Sequence, residues 1–350
     1  MGGVTPCTPV EPLGVPPDLS QAPRRTQGMD RRAFLAAAGA PLALGFAPAG
    51  LGRVLGGGTP LALVTADLEA AIVAVNLDTG RIQRRLTTPA DPRSIESVGD
   101  GRALVAHTSR GEMTVVDART LAVEAVTGPF GAPRYAAAHP EGRLAYVTDS
   151  ERAEVAVVDV QQRRVIGRTA VGGPARHLGI DRSGRRLWVA LGTKATAVVI
   201  LDLAQPTRPR VVGDLRPPFL AHDVGFTPGG RRVWVTSGDR GRLAIYEAHT
   251  GRLVRTLAGD APPQHVTFMT DRAFVTSGDD AVLRVHALDG RLLRSAPVPA
   301  GSFNVQHGGN YILTPSLSRG TLCVVTPRGV PVRSLRVARS SHDACFVMRR

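Results

Sequence analysis

LALVTAD (61–67), RALVAHT (102–108), LAYVTDS (144–150), RLWVALG (186–192), RVWVTSG (232–238), RAFVTSG (272–278) and YILTPSL (311–317) are versions of one phrase. In each, an apolar residue precedes a small polar stop: Val64, Val105, Val147, Val189, Val235, Val275 and Leu313. The steps between them are 41, 42, 42, 46, 40 and 38 residues. A short apolar run recurring at a period of about 40–50 residues marks a propeller, with one four-stranded blade per repeat. Seven copies predict an all-β chain with seven antiparallel blades.

Within a repeat, four runs are separated by turn residues. Around the fourth phrase these are RHLGID (176–181), RLWVAL (186–191), AVVILDL (197–203) and RPRVVGDL (208–215). β-Branched residues and leucine fill them at strand spacing. EMTVVDA (112–118), EVAVVDV (154–160) and RLAIYEA (242–248) occupy the third slot. Asp78-Thr79-Gly80, His249-Thr250-Gly251 and Asp289-Gly290 supply hairpin chemistry after it. The repeats start in phase with a second strand near Leu61. The chain ends on SHDACFVMRR (341–350), which reads as an innermost strand. The C-terminal strand is therefore expected to pair beside residues 61–67 and complete the first blade, closing the ring and removing an open edge.

The chain divides into four parts by composition. Residues 1–28 are rich in Pro, Gly and Thr without periodicity, and read as disordered or, if Met29 is the true start, not translated. Residues 29–50 (MDRRAFLAAAGAPLALGFAPAG) resemble a twin-arginine export signal: Arg31-Arg32, Phe34-Leu35, a weakly apolar run, and the small-residue site Ala47-Pro48-Ala49. Residues 51–60 are a linker, and 61–350 form the propeller. The leader implies an exported protein, whether extracellular, periplasmic or associated with the cell envelope. No second run of spanning length follows it, so no membrane span is expected in the mature chain.

The net charge is +14, yet Lys194 is the only lysine among 43 basic residues. Such a choice of arginine fits a GC-rich coding bias better than a selected surface. Arg102, Arg143, Arg185, Arg231 and Arg272 recur at turns rather than along one stripe. No nucleic-acid partner is expected. Cys323 and Cys345 lie on strands of different blades and read as two buried small apolar residues rather than a bridge. Trp188 and Trp234 fall in second-strand slots, where core packing accounts for them. The remaining histidines, His107, His139, His249, His286 and His307, fall on other strands or turns and read as exposed or singly bonded.

The innermost strands carry a second pattern. Their third positions are apolar (Ile95, Ala136, Leu178, Val224, Val266, Val305, Ala344). Their fourth positions are mostly small, with Glu96 and Gln306 as exceptions. Their first two positions are Arg93-Ser94, Arg134-Tyr135, Arg176-His177, His222-Asp223, Gln264-His265, Phe303-Asn304 and His342-Asp343. Four of the nine histidines fall in this ring. It is the candidate ligand site, at the mouth of the central channel. Three chemistries suit it. Arg93, Arg134 and Arg176, on successive blades, could converge on a carboxylate or phosphate. His222, His265 and His342, with Asp223, Asp343 or Asn304, could hold one divalent metal ion. Or these polar groups simply satisfy strand ends and one another. On the metal reading no further cofactor is needed; on the others none is.

The phrase YVTDSERAEVAVVDV (146–160) with PARHLGIDRSGRRLWVA (174–190) resembles the YVTN family of β-propeller repeats, over about residues 61–350. The sixth and seventh repeats depart from it at Thr270-Asp271 and Gly308-Gly309-Asn310. The resemblance implies the fold directly. For function it implies only a range, from binding proteins and surface-layer repeats to relatives of several enzymes. The leading expectation is an exported binding or scaffold protein that takes a small anionic ligand or a protein partner. The alternative is a metal-dependent, lactonase-like lyase or hydrolase, since propellers that resemble this architecture use a channel-mouth metal.

Overall fold

Leu63 in the first repeat pairs antiparallel with Cys345 in the last, and Ala62 with Phe346. The two ends of the repeat array thus share one sheet, as the phase of the repeats predicts. The computed structural model describes residues 57–99 and 101–350. The expected leader and the segment before it, with Cys7, lie outside the described residues. The first strand (Thr59–Ala66) begins inside the stretch read as linker: Thr59 pairs with Arg349 and Pro60 with Met348.

Seven four-stranded antiparallel sheets stand around one axis. Blade I combines 59–87 with the C-terminal strand Ala344–Arg349. Blades II to VII follow in chain order over 92–125, 133–170, 178–215, 224–258, 266–297 and 306–336. The only helical turns among the described residues are two 3-10 turns, Asp67–Glu69 and Thr108–Arg110. No helix there is long and apolar enough to cross a membrane.

There is no central core. Apolar side chains form seven clusters, and each cluster lies between two neighbouring blades. Val147 and Val158 of blade III pack on Leu104 and Val115 of blade II, while Tyr146 and Val157 pack on Leu187 and Val199 of blade IV. A second or third strand is therefore apolar on both faces, which explains its unbroken apolar run. Outer strands alternate poorly and stay exposed. Six of the seven blades carry a bulge between third and outer strand, which increases the twist each blade needs.

Near the axis the blades crowd. A Cβ on Gly179 would stand 2.6 Å from the Val224 carbonyl oxygen of the next blade. The small fourth positions follow from this distance. Cys323 and Cys345 are free and buried, and Trp188 and Trp234 are fully buried.

A threonine stitches these crowded strands. Thr236 Oγ accepts the Asp223 N–H of its own blade (3.0 Å) and donates to the Gln264 carbonyl of the next (2.6 Å). Thr148 does the same between Tyr135 N–H (3.1 Å) and the Arg176 carbonyl (2.5 Å). Thr276 donates to the Phe303 carbonyl, and Ser94 to the Arg134 carbonyl. Thr314 holds the same slot in blade VII, but its buried hydroxyl has no partner. Replacing Thr236 with Val should therefore cost about 1–3 kcal/mol in urea unfolding, because two backbone groups lose their partner. Thr314→Val should be neutral or stabilising. Equal losses at both positions would refute the stitching role.

Candidate ligand site at the channel mouth

All seven inner strands run from the same end of the axis. Two begin at Pro92 and Pro133, ahead of the polar pairs; the other five begin only after theirs, at Leu178, Val224, Val266, Gln306 and Ala344. Most of the ring is thus loop entering a strand rather than strand, a correction to the expected positions. The two places in each pair also differ. All seven second positions, Ser94, Tyr135, His177, Asp223, His265, Asn304 and Asp343, line an axial channel of about 720 Å³. The first positions stand outside it, on the rim.

The rim is cationic. Arg93 lies 3.8 Å from Asp67 and 3.9 Å from Asp91. Arg134 bonds Ser150 Oγ at 2.8 Å, and Arg176 Nε is buried with no partner. No carboxylate among the described residues comes within 4.0 Å of Arg134 or Arg176. Burial, then the charges of Arg176 and Arg93, lower the Arg134 pKa. Tyr135 sits beneath these guanidiniums, its phenol pushed up to about 12 by burial.

Three histidines meet on one side. The His177, His222 and His265 side chains bring their ring nitrogens within 4.8 Å of one another. Ring centroids lie 4.4 Å apart for His177–His222, 4.8 Å for His177–His265 and 5.1 Å for His222–His265. Tyr135 packs against His177 with ring centroids 4.3 Å apart and planes tilted by 34°. Burial and the neighbouring histidines depress the His177 pKa strongly and take His222 down to about 4. His342 is not in this trio. Asn304 faces its Nδ1 at 3.2 Å and donates to its carbonyl at 2.8 Å. Burial and Arg93 lower His342 to about 3. The set His222, His265 and His342 is thus not the one the structure gathers; His177 takes the place of His342.

The two aspartates serve the backbone. Asp343 accepts Ala344 N–H of its own blade at 2.8 Å and Ile95 N–H of the next at 3.1 Å. Asp223 likewise accepts Val224 N–H at 2.8 Å and Val266 N–H at 3.0 Å. The start of an inner strand leaves these amides without a sheet partner, and buried amides need one. Asp223 Oδ2 also lies 3.4 Å from His265 Nδ1. His139 is buried and singly bonded, accepting Glu141 N–H on Nδ1 at 3.3 Å. His107 is neither exposed nor singly bonded, against expectation; its Nε2 bonds Thr114 Oγ at 2.9 Å and Thr88 Oγ at 3.2 Å.

Deeper in the channel lie the two residues that break the small-residue rule. Gln306 Nε2 donates to Glu96 Oε2 at 3.2 Å. Both line the channel. Sequence reasoning marked them only as exceptions; a carboxylate at an otherwise small axial position was the signal that they face the cavity.

Residues 175–329 match a family model described as outer membrane protein assembly factor BamB, under half of the chain. None of the curated proteins matches the sequence. Among solved structures, the chain resembles the periplasmic gluconolactonase of Pseudomonas aeruginosa at 17% identity. That alignment covers 82% of this chain and 99% of the other, with a TM-score of 0.66. A putative 6-phosphogluconolactonase from Bacteroides uniformis aligns at 13% identity over 83% of this chain and 100% of its own, TM-score 0.68. Hydrazine synthase of Kuenenia stuttgartiensis aligns at 16% identity over 73% and 89%, TM-score 0.65. At these identities the likeness is one of fold: a seven-bladed propeller.

Burial raises the Glu96 pKa from 4.5 to about 7. The folded protein thus holds this proton more tightly than the unfolded chain. Glu96 therefore costs stability progressively as pH rises from about 4.5 to about 7, and the cost is constant above that. Glu96→Gln should stabilise the protein at pH 8 by up to about 3 kcal/mol and leave it unchanged at pH 4. Melting curves of both proteins across that range check it; a pH-independent difference would contradict it.

Proposed function

We propose that the protein is an exported propeller of YVTN type that binds a small anionic ligand at the channel mouth. The observation that carries this reading is that Arg93, Arg134 and Arg176 stand at the entries of three successive blades, where Arg176 and Arg93 act on Arg134 and Tyr135 through their charges, with no carboxylate within 4.0 Å of Arg134 or Arg176. Like charges brought together at partial burial cost energy, and an anion recovers it. Guanidinium forks suit carboxylate or phosphate oxygens. His222 and His342 stay neutral at pH 7, so the arginines hold the cationic charge of that side of the rim.

The second reading is a metal-dependent hydrolase or lyase. The gathered histidines favour it, and two of the structural neighbours are named as lactonases. Such a reaction needs a free general base near the ion. Asp223 and Asp343 are each engaged by two backbone amides. Binding is therefore the better supported role. A protein partner is the remaining alternative for the rim.

Export rests on Arg31-Arg32 followed by Phe34-Leu35, and the periplasmic neighbour agrees with it. Changing Arg31 and Arg32 to Lys in the full chain should retain it inside the cell in fractionation of its host. Undiminished export of that variant would remove the leader assignment.

For the ligand, a thermal-shift screen of small carboxylates and phosphate esters at low salt should find stabilisation of several degrees. Saturation at 100 times Kd contributes about 2.7 kcal/mol. Arg134→Ala and Arg176→Ala should each abolish the shift, whereas Arg185→Ala, at an exposed turn, should not. A screen without any shift, or one that Arg134→Ala leaves intact, sinks the anion reading.

A further inference from the structure

The structure assigns a mononuclear transition-metal centre to His177, His222 and His265, on blades IV, V and VI, with one coordination position open to the channel. Three neutral imidazoles with a free fourth position are the ligand set of a divalent ion of the zinc type. The assignment goes beyond the anion reading and does not rest on it.

The tautomers argue for it. His222 Nδ1 lies 2.9 Å from the Thr193 carbonyl, which only accepts, so Nδ1 carries the proton and Nε2 keeps its lone pair. His265 Nδ1 lies 3.4 Å from Asp223 Oδ2, a charge contact without hydrogen-bond alignment; the carboxylate's negative charge favours the proton on Nδ1 and leaves the Nε2 lone pair for an ion. A carboxylate or carbonyl behind the imidazole is the usual orienting shell of a metal-ligating histidine. Asp223 is itself held by Val224 and Val266 amides, so that shell is rigid.

His177 supplies the independent observation. It is 1% exposed, and neither ring nitrogen has a hydrogen-bond partner. Simple packing of three rings leaves that cost standing, since a buried polar atom without a partner is unfavourable. An ion between the rings removes it. Ligands about 2.0–2.1 Å from a tetrahedral ion have nitrogens about 3.3 Å apart. The present nitrogens lie within 4.8 Å of one another, a difference that small rotations of the rings close.

The test uses the full chain, free of any histidine tag, stripped with a chelator and titrated with Co²⁺ and then Zn²⁺ without organic anion. One equivalent of Co²⁺ should bind with the visible absorption of a four-coordinate, nitrogen-ligated ion, and Zn²⁺ should displace it. His177→Ala should lose affinity at least 100-fold. His222→Gln, at a half-buried position, should do the same if the first variant fails to fold. Asp223→Asn should weaken binding about 10–100-fold with the ring ligands intact. His342→Ala should still bind one equivalent. No saturable Co²⁺ spectrum overturns the assignment, as does binding that survives the loss of His177 or His222. Loss of binding in His342→Ala alone would move the site to a different trio. Since no anion is present, a failed titration leaves the arginine reading standing, and a failed anion screen leaves the metal site standing.

Discussion

At the entry of six of the seven inner strands a backbone group takes its hydrogen-bond partner from a side chain of the neighbouring blade. Everything at the axis follows from that pairing. Thr148, Thr236 and Thr276 make it with a hydroxyl, Asp223 and Asp343 with a carboxylate, and Asn304 with an amide. The seven apolar clusters hold blades together broadly; these bonds fix how deep each blade sits. The same few residues therefore set the diameter of the channel and the direction in which His177, His265 and Tyr135 point.

This constraint also explains what the sequence made legible and what it did not. Apolar period and turn chemistry are local, so blade number, strand slots and ring closure could be read from phrases such as LAYVTDS and from the phase of residues 341–350. The threonine ending several of those phrases was visible too, as a small polar stop. Its work as a two-sided hydrogen-bonding group depends on a residue about 28 positions away, in the next blade. The rim was legible as a set of polar pairs. Its division into channel-lining second positions and outer first positions was not, because strand entry differs between blades. His177 holds a second position and His342 a first, and His177, His222 and His265 fall on three successive blades; which ring nitrogens meet depends on side-chain direction, which the repeat pattern does not give. His107 was missed because a second-strand end reads as an edge in one dimension and is enclosed by a neighbouring blade in three.

The mouth is layered. Three guanidiniums stand on the rim, while His177, His265, Tyr135, Asp223 and Asp343 line the channel at the next position, and Glu96, its pKa raised to about 7 by burial, lines it two positions further along its strand.

The closing strand carries a consequence for biogenesis. Blade I cannot be completed until Ala344–Arg349 has left the ribosome, and its partner in that sheet was made almost 300 residues earlier. Until then the nascent polypeptide exposes the apolar flank of Leu61, Leu63 and Val64 to the cytosol. Contacts of such long separation are slow to form. The half-made chain is therefore the aggregation-prone species, and its protection must last for nearly the whole of translation.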